Sequence, residues 1–260
     1  MGLNRTINMI RNLENWYDYL FYKYSREKEP FFEFRLRNHY AVNVPSQVQH
    51  EFKESVFEQI YYQKLPSAIY HIESPVVIDI GANVGFFTLF TDFKLHHPRV
   101  YCFEPIQRNF ALLQRNLAGL DKSRIHLINK AVSNSDQEII LQFNTGQSIT
   151  TSASIFHKTD DVEGEKVGSI TLTGLAGEYK LSRIDLLKLD CEGAEYGIFY
   201  DTPKSFFKRV YCMSLETHVG AQKNENTAAL AEYIVSLGFK VKTQPCFIWA
   251  YKTTYPGNAR

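Results

Sequence analysis

The sequence predicts an α/β chain. A mostly parallel central sheet carries helices on both faces, an antiparallel hairpin closes its C-terminal edge, and a helical and hairpin addition precedes it. Three observations predict this. From residue 76 onward, short apolar strand-like runs alternate with helix-like runs, the pattern of βαβ units. Residues 76–85, VVIDIGANVG, read as a strand, a glycine turn and the start of a helix. The last two strand-like runs are joined through Gln244-Pro245, as in a hairpin.

The elements follow in order. Ile7, Ile10, Leu13, Tyr17, Leu20, Phe21 and Tyr24 recur at helical spacing, so one helix is expected over 6–24, with Thr6 as its N-cap. Its aromatic density (Trp16, Tyr17, Tyr19, Phe21, Tyr22, Tyr24) suits a helix packed on the domain, a substrate lid, a dimer contact or a membrane-surface helix. Runs around Phe32–Leu36 and Tyr40–Val44 flank Arg37-Asn38-His39 and read as a hairpin. A second helix is expected over Val48–Tyr62, with Val48, Phe52, Val56 and Ile60 on one face. Residues 1–65 thus form an addition, not an independent domain, and 66–260 form the α/β domain.

Strands are expected near 76–80, 99–104, 125–132, 138–143, 168–173, 184–190, 208–215, 238–243 and 246–251. Helices are expected near 84–95, 107–119, 192–200 and 226–237, with Gly238 as a C-cap-like glycine. The polar stretch 144–167 is expected to be a loop near the site.

Bulk properties exclude several classes. With 29 basic and 28 acidic residues, net charge is +1, so no electrostatic case for nucleic-acid binding arises. Hydrophobic content of 44% fits a globular chain. Cys102, Cys191, Cys212 and Cys246 lie far apart without a C-x-x-C pair. They read as buried free thiols in a reducing compartment, and the expected location is cytoplasmic. No apolar run reaches the roughly 18 residues of a transmembrane helix, and the N-terminus lacks a signal-peptide core. Gly2 and Thr6 match the loose myristoylation pattern M-G-x-x-x-[ST].

The glycine turn carries the first chemical information. Against the dinucleotide pattern G-x-G-x-x-G, Asn83 and Phe86 replace the second and third glycines, which counts against NAD. No G-K-[ST] follows, which excludes a phosphate-binding P-loop. The pattern present is D-x-G-x-N-x-G, built from Asp79, Gly81, Asn83 and Gly85. An acid beside the turn favours a cationic ligand, and S-adenosylmethionine has a sulfonium and an α-ammonium but no phosphate. Glu104 ends the next strand, 23 residues after Gly81, where an acid accepts hydrogen bonds from ribose hydroxyls. The run IDLLKLDCEGAE (184–195) then places Asp190, Glu192 and Glu195 within six residues at a third strand end, and SLETH (214–218) adds Glu216 and His218 at a fourth. Ligands in such sheets bind outside the carboxyl ends of the strands.

These residues together resemble the FkbM-type family of S-adenosylmethionine-dependent methyltransferases. The resemblance rests on VVIDIGANVGFFT (76–88), VYCFEP (100–105) with Asn109 and Asn116-Leu117, NKAVSN (129–134), IDLLKLDCEGAE and SLETH, and it covers about residues 32–250. The D-x-E-G-x-E motif is its most specific part. The charged stretch 156–168 and the aromatic N-terminal helix exceed the pattern and bear on substrate choice. The resemblance implies a Rossmann-like class I methyltransferase fold, and O-methylation of sugars, polyketides or similar hydroxylated metabolites.

The expected function is O-methylation of a hydroxyl on a small-molecule or glycan acceptor. N- or carboxyl-methylation and a non-catalytic cofactor-binding scaffold are the alternatives. Methyl transfer is an in-line displacement that depends on alignment, and a hydroxyl acceptor must also lose a proton. His218 is the first candidate base, followed by Glu216 and Glu192; a role for His218 in orienting its loop is equally compatible with the sequence. Asp79, Gly81, Asn83, Gly85 and Glu104 are the cofactor candidates, with Asp190 a second acid for the ammonium. A hard cation such as Mg²⁺ would suit the oxygen-rich group Asp190, Glu192, Glu216 and His218.

Overall fold

The computed structural model describes residues 2–25, 29–144 and 162–255. The N-terminal region holds helices α1 (Leu3–Asn12) and α2 (Trp16–Tyr24), a hairpin of β1 (Phe31–Arg35) and β2 (Ala41–Pro45), and the short helix α3 (Gln49–Lys53). The sequence predicts one helix over 6–24, but the chain breaks at residues 13–15. Leu13 bridges to Leu36, and the Asn15 amide bonds both Glu33 O (2.7 Å) and the Arg35 N–H (3.0 Å), so tertiary pairing with β1 outcompetes helix continuation. The N-cap is Gly2, not Thr6. The expected helix over 48–62 is likewise broken: α3 runs into a π-helical turn (Glu54–Glu58), and Gln59 then takes a left-handed φ of 53°. Trp249 Nε1 binds Ile60 O at 2.8 Å and Ser214 Oγ binds Tyr61 O, which pins the following 3₁₀ turn onto the sheet.

The central sheet begins with β3 (Val76–Ile80), then helix α4 (Phe86–Lys94), β4 (Arg99–Phe103), helix α5 (Gln107–Asn116) and β5 (Ile125–Ile128). The predicted strand 125–132 ends early, and Ala131–Val132 (β6) joins a separate three-stranded sheet with β7 (Glu138–Asn144) and β8 (Val162–Ile170). The break falls at Asn129, whose amide donates to Glu104 O and Pro105 O, both at 2.9 Å. The expected strand 168–173 stops at Ile170, and its apolar continuation belongs to helix α6 (Leu172–Glu178), capped by Thr171 Oγ1 accepting the Gly174 N–H at 3.0 Å. The expected loop 144–167 gives way to β8 from residue 162; its part at 145–161 lies outside the described residues.

Strand β9 (Ile184–Leu189) leads to helix α7 (Glu195–Asp201), which starts three residues later than predicted because Glu192 (φ 52°) and Gly193 (φ 99°) form a left-handed turn. β10 (Val210–Glu216), helix α8 (Thr227–Ser236), β11 (Lys240–Gln244) and β12 (Phe247–Tyr251) complete the chain. The sheet order is β11-β12-β10-β9-β3-β4-β5; β12 runs antiparallel to both neighbours, and the other pairings are parallel. This is the mostly parallel, Rossmann-like α/β sheet with an antiparallel C-terminal edge hairpin that the sequence predicts. Gly238 closes α8 at φ 90° as expected.

Alternation along the strands divides the core. Val77, Cys102, Leu186 and Trp249 pack with α4, α5 and the N-terminal region on one face. Ile78, Phe103, Leu187 and Met213 pack with α6, α7 and α8 on the other. Cys102 and Cys212 are buried free thiols, but Cys246 is exposed, because it occupies the left-handed corner (φ 61°) of the β11–β12 turn. Among the described residues no helix is long and apolar enough to cross a membrane.

Candidate active site

Four strand ends meet on one sheet edge: β3 with the glycine turn, β4 with Glu104, β9 with Asp190, and β10 with Glu216. At the ends of β3, β4 and β9 lies a cleft, lined by Gly81, Asn83, Glu104, Asp190 and Glu192 and by apolar groups that include Ile106 and Leu141; Glu216, at the end of β10, is not among its lining residues.

Gly81 is required by contact as well as by its φ of +72°. A Cβ there would lie 1.8 Å from Asp190 O, so the ends of β3 and β9 approach as only glycine allows. Gly85 (φ +92°) packs against Leu113 in the same sense. The turn is tied to β4 by the Gly81 and Ala82 N–H groups, which donate to Phe103 O at 3.0 and 2.9 Å.

Glu104 is 4% exposed. Its Oε2 accepts the Asn83 N–H (2.8 Å) and its Oε1 the Ile106 N–H (2.9 Å). Burial pushes this carboxyl up to about 8 against those two bonds, which pull it down. The Oδ1 atom of Asn83 is buried without a hydrogen-bond partner among the described residues.

Asp79 lies behind the turn and lines neither the cleft nor the cavity next to it. It is fully buried; Oδ2 accepts from Thr88 Oγ1 (2.8 Å) and Oδ1 lies 3.1 Å from Lys188 Nζ. Lys188 is the main site residue that sequence reasoning misses. It is paired in register with Asp79, is 2% exposed, and donates to Gly81 O (2.7 Å) and Ile80 O (3.2 Å). Burial alone would lower its pKa, but Asp79 and Asp190 raise it above the ordinary lysine value. The only signal for it in the sequence is a lysine inside an apolar strand run. Tyr61 is missed as well: its hydroxyl donates to Asp190 Oδ2 at 2.9 Å from 129 residues away.

His218 stands beside Glu192, which lines the cleft. Fully buried Glu195 accepts the His218 backbone N–H (2.6 Å) and faces its Nδ1 at 3.2 Å, while its other oxygen accepts the Gly193 N–H at 2.8 Å. His218 Nε2 lies 3.4 Å from Glu192 Oε2. Burial opposes charge on His218, but Glu195, Glu192 and Asp190 outweigh it and bring the imidazole up to about 9. Burial brings Glu192 up to about 7, and burial with the Asp190 charge does the same for Glu216. Asp190, Glu192 and His218 place one ligand atom each within 4.8 Å of one another; Glu216 is not part of that group.

The structure thus brings Gly81, Asn83, Glu104, Asp190 and Glu192 onto one cleft, places His218 beside Glu192, and sets Asp79 and Gly85 as supports behind them. The chain is 24% identical over 162 residues to Methyltransferase 1 of Beauveria bassiana, covering 56% of this chain and 65% of that protein. It is 26% identical over 209 residues to methyltransferase sdnD of Sordaria araneosa, covering 69% and 78%. The chain therefore spans just under two thirds of the Beauveria protein. Among solved structures, TrmK of M. capricolum in complex with S-adenosyl-homocysteine aligns at a TM-score of 0.41 and 11% identity over 72% of this chain and 67% of that one. The Methyltransferase FkbM domain matches residues 79–241, more than half of the chain and all of the strand ends just described, and the chain belongs to the FkbM methyltransferase family.

Proposed function

We propose that the protein is an S-adenosylmethionine-dependent O-methyltransferase that acts on a hydroxyl of a sugar, glycan or glycosylated metabolite, residues 66–260 forming the catalytic domain and 1–65 an addition that walls one side of the site. The observation that carries this reading is the His218–Glu195 pair beside Glu192, which lines the cleft: a base with its orienting acid.

The residues present fit the cofactor. Glu104, held by two backbone N–H groups, keeps lone pairs for ribose hydroxyls, and Ile106 and Leu141 offer an apolar wall for a base. Gly81, Asn83 and Gly85 keep the turn close and open. Asp79 acts from behind, through Lys188, on the carbonyls of that turn, while Asp190 faces the cleft directly. When bound, S-adenosylmethionine supplies the electrophilic methyl group and a positive charge.

The protein's own groups handle the proton. Glu195 accepts from Nδ1 and fixes the ring, which leaves Nε2 to take the acceptor hydroxyl proton. On their own the neighbouring acids keep His218 protonated at neutral pH; a cation docked in the cleft favours its neutral form. Glu192 and Glu216 flank the acceptor, each poised near neutrality to accept a hydrogen bond from it. Asp190, Glu192 and His218 match a divalent cation such as Mg²⁺ in number, but Asp190 Oδ2 is already held by Tyr61 and one donor is an imidazole, which magnesium accepts reluctantly. The reading therefore uses protein groups alone. Incubation with labelled S-adenosylmethionine and a panel of hydroxylated, amine and carboxylate acceptors tests it: label in an ether-linked methyl supports it, and label confined to amines or carboxylates refutes it. Cofactor binding with no transfer to any acceptor would favour the scaffold alternative.

A further inference from the structure

The N-terminal addition carries one side chain into the middle of the site. Gln59 turns left-handed (φ 53°), and the chain passes into the 3₁₀ turn Ile60–Tyr62. Tyr61 of that turn is 7% exposed and lines the cavity next to the cleft. It is mounted rigidly. Ser214 Oγ on β10 donates to Tyr61 O, and Trp249 Nε1 on β12 donates to Ile60 O at 2.8 Å. The neighbouring Tyr62 hydroxyl meets Thr91 Oγ1 of α4 at 2.7 Å. The Tyr61 ring packs 5.2 Å from the Phe87 ring and 5.5 Å from the Phe247 ring, centre to centre. Its hydroxyl donates to Asp190 Oδ2 at 2.9 Å. Burial, with the charges of Asp190 and Glu216, pushes the phenol well above its ordinary value, so it keeps its proton and remains a donor.

Asp190 stands where the two spaces meet, because it lines both the cleft and the neighbouring cavity. Its backbone is fixed: the N–H donates to Ile80 O at 3.1 Å, and its carbonyl oxygen is the atom that Gly81 approaches. Its carboxylate has a competing destination. Oδ2 lies 3.9 Å from Lys188 Nζ, the ammonium that Asp79 holds at 3.1 Å. Attraction between opposite charges grows as they approach. An untethered Asp190 carboxylate therefore closes on Lys188, turns away from the cleft, and competes with Asp79 and Gly81 O for the same ammonium. The Tyr61 hydroxyl occupies Oδ2 short of that contact and leaves Oδ1 as the oxygen available to a ligand.

We propose that Tyr61 is a positioning residue of the methyltransferase site: its hydroxyl holds the Asp190 carboxylate off Lys188 and open to the positively charged cofactor. The inference rests on the cofactor reading above and extends it to the N-terminal addition, which acts on binding through Asp190 in addition to walling the site. Tyr61→Phe isolates the effect, because it keeps the ring and its contacts with Phe87 and Phe247 and removes the hydroxyl alone.

The test asks whether Tyr61 acts through Asp190. The full chain and its Tyr61→Phe, Asp190→Ala and double variants are titrated calorimetrically with S-adenosylmethionine. Asp190→Ala is expected to weaken binding about tenfold or more, and Tyr61→Phe about fivefold or more, the scale of hydrogen bonds to charged groups. A residue that works through another loses its effect once the other is gone, whereas a packing role persists. In the Asp190→Ala background, Tyr61→Phe is therefore expected to change affinity by less than about twofold. Unchanged affinity in either single variant overturns the inference, as does an equal fold-loss from Tyr61→Phe in both backgrounds. Failure of the unsubstituted protein to bind S-adenosylmethionine overturns the cofactor reading itself, and the inference with it.

Discussion

Replacing Lys188 with Met probes the interaction that joins the glycine turn to the sheet. Lys188 sits on β9 opposite Asp79 on β3, with its ammonium 3.1 Å from Asp79 Oδ1 and bonded to Gly81 O at 2.7 Å and Ile80 O at 3.2 Å. Met preserves the length and the apolar stem but removes the charge and every donor. Asp79, fully buried, is left with the Thr88 hydroxyl alone to balance its charge. Breaking a buried pair from one side costs about 3–5 kcal/mol, because the remaining charge is uncompensated. That is a large part of the 5–15 kcal/mol typical of a folded domain, and it lowers the thermal midpoint by roughly 10 °C. The double variant Asp79→Asn/Lys188→Met removes both charges and is expected to recover most of the loss, because the Thr88 hydroxyl can still donate to the amide oxygen that replaces the carboxylate. Urea unfolding of the two single variants and the double variant provides the assay, and the coupling between the sites is read from the cycle. A loss below about 1 kcal/mol in Lys188→Met, or simple additivity in the double variant, would refute the claim that this pair holds the turn.

Further predictions concern the site itself. Gly81→Ala places a Cβ at 1.8 Å from Asp190 O, so cofactor affinity should fall more than about tenfold in direct titration; an unchanged affinity would mean that the two strand ends separate freely. His218→Gln should lower turnover by about 100-fold while cofactor affinity stays within about twofold. Because a base acts only when deprotonated, kcat/KM should rise with pH toward about 9 in the unsubstituted enzyme, and a limb that survives in His218→Gln would remove the residue from the mechanism. Glu104 has a folded-state pKa raised to about 8, above its unfolded value, so its contribution to stability is present at acid pH and is lost as pH rises through about 8. The Glu104→Gln protein should therefore lose less stability over that window, which melting curves from about pH 5 to 9 would check. Activity should persist after exhaustive chelation; loss on chelation and recovery with Mg²⁺ would instead assign Asp190, Glu192 and His218 to a metal.

Much of this site can be read in the sequence because its residues sit at strand ends, and strand ends are local features. The run from Val76 to Gly85 fixes a strand and a left-handed turn, and the spacing to Glu104 fixes the next strand end. The sequence misleads where tertiary contacts decide. Asn15 breaks the aromatic N-terminal helix by bonding β1, and no helical periodicity reveals that competition. The run from Leu172 reads as the end of a strand because it continues the apolar Ile170, and only the Thr171 cap, followed by glycines unusual in a helix, makes it helical. Glu192 adopts a left-handed φ that an acidic residue rarely announces, so α7 begins later than its pattern suggests. Lys188 and Tyr61 escape sequence reasoning for a related reason: each acts on residues more than 100 positions away, and their meaning exists only once β3, β9 and the 3₁₀ turn lie together.

The central claim is that the cleft at the glycine turn is built for S-adenosylmethionine. Calorimetric titration of the purified protein with S-adenosylmethionine and S-adenosylhomocysteine, with NAD as control, tests it most directly. Micromolar binding of the first two with none for NAD is the expected result. Binding of NAD, or silence from both sulfur nucleosides, would contradict the account at its base.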